Sequence, residues 1–338
     1  MRQIVTTGTG DIGVLKVQQK PDPTPREDQV VIRVRAAGLN FADILSRQGL
    51  YPDSPPKPCV MGYEVSGIIE EVGKGVDSSL KGKSVAALTG FGGQSEMVAV
   101  KATQIFEKPE KLTFEQAAAI PVNYLTAYAL LVVMGSLHVG ESVLIHNAGG
   151  GVGLAAIEIA KKIGAVTYGT ASPGKHQFLA ERGLDHAIDY RKQDWFPVLK
   201  DLTGGRGVDL VIDPIGGAHW KKSYAALRAT GRLGMFGIST VSANGLSGKL
   251  NMLKAAIQTP RFHPFALLNK NRGVFGLNLG HMWHEPEKVA AWMLDILSGV
   301  EEGWVNPYVD RSFSFDEAGA AHRYLEERKN IGKVVLVP

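Results

Sequence analysis

Residues Val143-Leu-Ile-His-Asn-Ala-Gly-Gly-Gly-Val-Gly153 constrain this chain more than any others. A short apolar run enters a glycine turn and leaves it as the helical pattern of residues 154–163, which is how a strand hands a dinucleotide to a helix. The physics is specific. A position without a side chain lets a pyrophosphate reach the backbone, and the free amides and positive end of the following helix hold the anion. Ala148 stands in the first glycine place, Gly150 in the second and Gly153 in the third, with Gly151 and Val152 between them. A glycine turn can be purely structural; its place between a strand and a crossover helix favours the dinucleotide.

The surrounding pattern agrees. Apolar runs at residues 143–145, 166–168, 208–212, 233–236 and 274–277 alternate with helical stretches such as 175–182. That rhythm predicts a doubly wound parallel α/β sheet of about six strands. Up to about residue 110 the style differs. Runs at 29–36, 65–72, 84–88 and 95–100, broken by glycines, predict a compact, irregular β barrel. Beyond the sheet, a helix starting at Pro286, a capping box at Ser314 and Glu317 and a strand at 333–337 are expected. Residues 240–268 show no readable pattern and are taken as a loop that shapes a substrate pocket.

Residues 117–137 carry no charge over a length that could span a bilayer. Pro121, Asn123, Tyr124, Thr126 and Tyr128 interrupt the stretch, and Thr113 with Gln116 forms a capping box, so it is read as a buried interdomain segment without a membrane span. A net charge of +4 with no basic run gives no nucleic-acid arm. The single cysteine, Cys59, cannot pair within the chain, and the first residues lack a signal-peptide pattern; a cytoplasmic setting is expected.

Cofactor choice is read about 20 residues past the glycine turn, where an acid selects NAD. Here, from Gly169 on, no Asp or Glu occurs before Glu181, while Thr170, Ser172 and Lys175 suit a 2′-phosphate, so NADPH is expected. Gly82-Lys83-Ser84 lacks the upstream glycine of a P-loop, His281 and His284 have no supporting ligand cluster, and no Gly-x-Ser-x-Gly elbow is present.

Further motifs run in order along the chain: Leu39-Asn40-Phe41-Ala42-Asp43, Arg47 to Tyr51, Gly62-Tyr63-Glu64, Val122 to Tyr128, Ile188-Asp189-Tyr190, Asp213 to Gly217 and Lys329 to Pro338. With these the sequence resembles the medium-chain dehydrogenase/reductase family over its full length. Within it the resemblance is to the zinc-free quinone oxidoreductases and the vesicle amine transport protein branch. It implies a GroES-like β domain from residues 1–122 and 278–338, with a Rossmann-type domain at 123–277 inserted, and homodimers pairing near residues 274–277.

Zinc-dependent relatives place cysteine where Asn40 stands and histidine where Tyr63 stands, so the resemblance implies no metal. Asn40, Tyr51 and Tyr63 become the catalytic candidates. Tyr51 either hydrogen-bonds the acceptor oxygen or is a wall for its ring. Thr126, Phe236, Gly237 and Leu277 would line the nicotinamide, Lys175 and Tyr190 would reach the 2′-phosphate, and Asn330 is counted with the cofactor residues. The implied activity is hydride transfer from NADPH to a small-molecule quinone. The alternatives are a 2-alkenal or enone reductase, and an NADPH-binding module with little catalysis.

Overall fold

The structure is a computed structural model that describes all 338 residues. Six parallel strands, Ser142–Ile145, Val166–Ala171, His186–Asp189, Val208–Asp213, Leu227–Met235 and Gly273–Gly276, form one sheet. In chain order they lie side by side as third, second, first, fourth, fifth, sixth. That order puts a crevice at the carboxyl ends of the first and fourth strands, where successive crossovers leave in opposite directions. Val143, Leu144, Ile145, Leu210, Val211 and Ile212 are wholly buried because helices cover both faces, and for that reason they read as continuous apolar runs.

Two strands escaped sequence reading in whole or part. His186–Asp189 is a polar edge strand that buries only Ile188. Leu227–Met235 begins six residues early through Arg228, Thr230 and Arg232, where its register shifts against the neighbour.

The second large sheet joins Gln29–Leu39, Glu64–Val72, Ser84–Leu88, Met97–Lys101 and Ile105–Glu107 to Val309–Ser314 and Lys333–Val337. Its last strand returns from the far end of the chain to pair antiparallel with the first, Val334 opposite Leu39 and Leu336 opposite Ala37. A smaller sheet of Arg2–Thr6, Leu15–Gln19 and Cys59–Val60 lies beside it. The long uncharged segment runs from the end of the helix Phe114–Ala118 through Pro121–Tyr128 and a π turn, Ala129–Val133, and its helix Pro121–Tyr128 packs on Gly151–Ile163 and Pro286–Glu302. No helix is long and apolar enough to cross a membrane.

Residues 240–268 correct the loop expectation, since they contain helices Gly245–Gln258 and begin a second, Pro264–Lys270. Glycines in the first helix weaken its signal, and its large apolar residues face outward, so its pattern matches no core.

Under the second large sheet, His322 is buried with neither ring nitrogen partnered, and burial holds its pKa down to about 3. Between about pH 6.5 and 3 the unfolded chain binds this proton and the native chain does not, so stability falls as pH falls through that window. Replacing His322 by leucine is expected to recover on the order of 1–2 kcal/mol at pH 5, read as a smaller drop in Tm between pH 7 and pH 5. Asp43 and Glu158, raised to about 7 by burial, act in the opposite sense, and comparing variant with wild type cancels them.

Candidate active site and cofactor cleft

At the carboxyl end of Ser142–Ile145 the chain turns through Asn147, at φ 55°, and Gly150 caps the helix Gly151–Ile163. A Cβ on Gly153 would lie 2.5 Å from the carbonyl oxygens of Asn147 and Ala148, so the helix can seat against the turn only with glycine there. Ala148 is tolerated in the first place because Gly169, on the adjacent strand, leaves room for its methyl: a Cβ on Gly169 would meet it at 2.8 Å.

The segment before the last strand lies against this turn. The Gly332 N–H donates to the Gly149 carbonyl at 2.9 Å. Lys175 crosses Gly149, and its ammonium donates to the carbonyls of Arg328 (3.1 Å) and Asn330, with burial lowering its pKa. The Asn330 amide donates to the Gly332 carbonyl at 2.8 Å, so it braces its own segment. Tyr190 is exposed and Ser172 half-buried beside Lys175. Phe236, Gly237 and Leu277, all half-buried, follow the fifth and sixth strands, and Thr126 is buried on helix Pro121–Tyr128.

Thr170 is placed differently from the phosphate role read in the sequence. It is buried, and its hydroxyl meets His146 Nδ1 at 3.0 Å. His146 Nε2 contacts Ser223 Oγ (3.2 Å), which donates to Asp213 (2.6 Å). Asp213 also pairs with His219 Nδ1 (2.6 Å), whose Nε2 accepts from Trp195 (3.1 Å). The ligand atoms of His146, Asp213 and His219 lie within 4.8 Å of one another, but each has a protein partner, which makes this a closed hydrogen-bond network under the cleft.

Asn40 ends the strand Gln29–Leu39 and caps the helix Phe41–Gln48. Its side chain is held from both sides: Nδ2 donates to Glu64 Oε1 at 2.9 Å and Oδ1 accepts from Lys333 at 2.8 Å. Glu64 and Lys333 form a buried ion pair, and the second Glu64 oxygen accepts the Val122 N–H at 2.7 Å. A Cβ on Gly38 would fall 2.6 Å from Glu64 Oε1 and 2.7 Å from Lys333 Cε, so glycine makes room for the pair. Asp43 accepts the N–H groups of Asn40 (2.8 Å) and Gly62 (3.0 Å), fixing Asn40 relative to Tyr63. Burial raises the Asp43 pKa to about 7 against those two bonds.

The rings of Tyr51 and Tyr63 meet edge to face at 6.2 Å, and Phe91 lies 5.3 Å from Tyr63. The Tyr63 hydroxyl is buried without a hydrogen-bond partner. Burial raises both phenol pKa values, helped by the charge of Asp43 at Tyr63 and of Asp53 at Tyr51. Sequence reading had no signal for Glu64 and Lys333 as the holders of Asn40, since they meet it only through the sheet.

Residues 26–110 match the alcohol dehydrogenase GroES-like domain, and residues 182–336 match the model described as zinc-binding dehydrogenase. The synaptic vesicle membrane protein VAT-1 homolog of Rattus norvegicus is 41% identical over the whole of this chain and 84% of its own length. The chain belongs to the medium-chain dehydrogenase/reductase family. Among solved structures, the quinone oxidoreductase of Escherichia coli complexed with NADPH superimposes with a TM-score of 0.88 at 29% identity, covering both chains fully. The CurK enoyl reductase gives 0.85 at 29% identity, over 99% of this chain and 98% of its own.

The zinc named in that family model finds a poor donor set at Asn40 and Tyr63. An amide, already bound to an ammonium group, and a neutral phenol replace the thiolate and imidazole that tetrahedral zinc prefers. The cation beside Glu64 is Lys333.

Proposed function

We propose that the chain is an NADPH-dependent, zinc-independent oxidoreductase that reduces a quinone or a related activated acceptor. The observation that carries this reading is the cleft itself: a dinucleotide turn at the switch point of the sheet, joined through residues 328–333 to an Asn40 clamp that offers a metal no site. NADPH, present in the E. coli relative, would supply the hydride. The turn at Gly150 and the start of its helix would hold the pyrophosphate. Lys175 would exchange the carbonyls of Arg328 and Asn330 for the 2′-phosphate, with Ser172 and Tyr190 alongside.

Thr126, Phe236, Gly237 and Leu277 would wall the nicotinamide. Asn40, held rigid, would orient the reacting ends, and Tyr51 or Tyr63 would face the acceptor. Both phenols stay protonated at working pH, so they act as hydrogen-bond donors toward an acceptor oxygen. An acceptor of this kind needs no Lewis acid because it already accepts hydride well. The free edge of Gly273–Gly276 suits pairing with a second copy. With one cysteine, a reducing cytoplasmic setting fits.

The test is NADPH consumption across a panel of quinones and 2-alkenals. Quinone turnover carries the reading; faster turnover of 2-alkenals moves the substrate to activated alkenes, for which the CurK likeness speaks. Tight NADPH binding with no turnover on any acceptor sinks the enzyme and leaves a binding module. Lys175→Ala is expected to weaken NADPH about tenfold or more while leaving NADH within about twofold. Equal losses for both cofactors would remove the 2′-phosphate role.

A further inference from the structure

Two histidines follow the last strand of the parallel sheet, and one of them has its partner on the other side of the cleft. His281 Nε2 lies 2.9 Å from Asp53 Oδ2, and Asn278 Nδ2 donates to the same oxygen at 3.0 Å. Asp53 belongs to the turn that carries Tyr51, closed by the Ser54 N–H on the Tyr51 carbonyl at 3.1 Å. Asn278 caps the short helix Leu279–His284 and follows directly on Leu277. The bridge therefore joins the Tyr51 side of the cleft to the Leu277 side, between residues 225 and 228 positions apart in the chain. It crosses close to the phenol: a Cβ on Gly280 would lie 3.8 Å from the Tyr51 hydroxyl oxygen. The hydrogen bond from His281 holds the Asp53 carboxyl below the usual carboxylate range, so the oxygen that both donors share carries charge. Both side chains of the pair remain exposed, 38% for Asp53 and 64% for His281. An exposed pair adds little to stability, so its consequence lies in what it spans.

We propose that Asp53, Asn278 and His281 form a latch across the mouth of the acceptor cleft, and that this latch sets the size of acceptor the chain takes. The inference rests on the reading of the cleft as a hydride-transfer site with Tyr51 toward the acceptor. With the latch closed, a compact acceptor such as a single-ring quinone is kept against Tyr51 and water is kept off it. A flat three-ring quinone has to break the bridge to reach the same position. The bonds that hold the bridge lie at the surface, where each is worth at most about fivefold in an equilibrium, so the latch is weak enough to open at every turnover. Further along the chain Glu285 pairs with Lys288 at 2.8 Å, which leaves His281 to Asp53.

Steady-state kinetics with benzoquinone and with the three-ring phenanthrenequinone, beside amide hydrogen exchange, test this on the full chain. In Asp53→Ala the preference in kcat/KM for benzoquinone over phenanthrenequinone is expected to fall about threefold to fivefold, through KM, with NADPH affinity unchanged. His281→Ala should move the ratio the same way by about twofold. His281→Gln, whose amide reaches Asp53 from the place of Nε2, should restore the wild-type ratio. The N–H groups of Gly280 and His281 are each bonded to Asn278 at 3.0 Å, so their exchange should quicken in the alanine variants and return to the wild-type rate with glutamine. Both substituted side chains are exposed, so an unchanged Tm verifies the folds. A wild-type acceptor ratio in Asp53→Ala, or unchanged exchange there, overturns the latch. If the wild type turns over neither quinone, the hydride-transfer reading fails, and the exchange rates still decide whether the bridge holds the two sides together.

Discussion

Replacing Lys333 with methionine is expected to lower Tm by about 4–7 °C. Removing one partner of a buried pair leaves the Glu64 carboxylate stranded and costs about 3–5 kcal/mol, and a chain of 338 residues loses roughly 1.4 °C for each. Both partners are buried and the second Glu64 oxygen is held by the Val122 N–H, so the carboxylate has no route to water. Activity should fall further than stability explains, because Asn40 then loses the donor on its carbonyl oxygen. The double variant Glu64→Leu/Lys333→Met separates the two effects. It should regain most of the Tm, since no charge is left unpaired, while turnover stays low with Asn40 free to rotate. A single variant with wild-type Tm, or a double variant with wild-type turnover, would remove the clamp from the mechanism.

Gly153→Ala should weaken dinucleotide binding by roughly thirtyfold or more and cost about 1–3 kcal/mol of stability. The added Cβ would sit 2.5 Å from two carbonyl oxygens of the turn. Main chain cannot step aside as a flexible side chain does, so helix Gly151–Ile163 must move outward and carry its amides away from the pyrophosphate. Gly174→Ala is the control: nothing lies within 4 Å of its added Cβ, and neither affinity nor Tm should change. Titration of both variants with NADPH, beside thermal melts, decides it. Equal affinities would mean that Gly153 serves packing alone.

Much of this was legible in the sequence. Strands buried on both faces announce themselves as apolar runs, and the glycine turn followed by a helix places the crevice. The capping boxes at Thr113 and Ser314 marked helix starts that the structure shows. Local rules worked there because neighbours in sequence supply the bonds. They failed at His186–Asp189, an edge strand with little apolar content, and at Gly245–Gln258, whose apolar residues do not face the core.

The sequence by itself determined the α/β alternation, the dinucleotide turn and the lack of an acid to select NAD, since each is written in a few adjacent residues. Tertiary structure alone decided what Asn40, Thr170 and Lys175 touch. Lys333 reaches Asn40 across 293 residues because the last strand closes the first sheet. Thr170 turns to His146 because two parallel strands set them side by side. Hydrogen bonds between residues far apart in the chain depend on where the backbone passes, which no local pattern of side chains encodes.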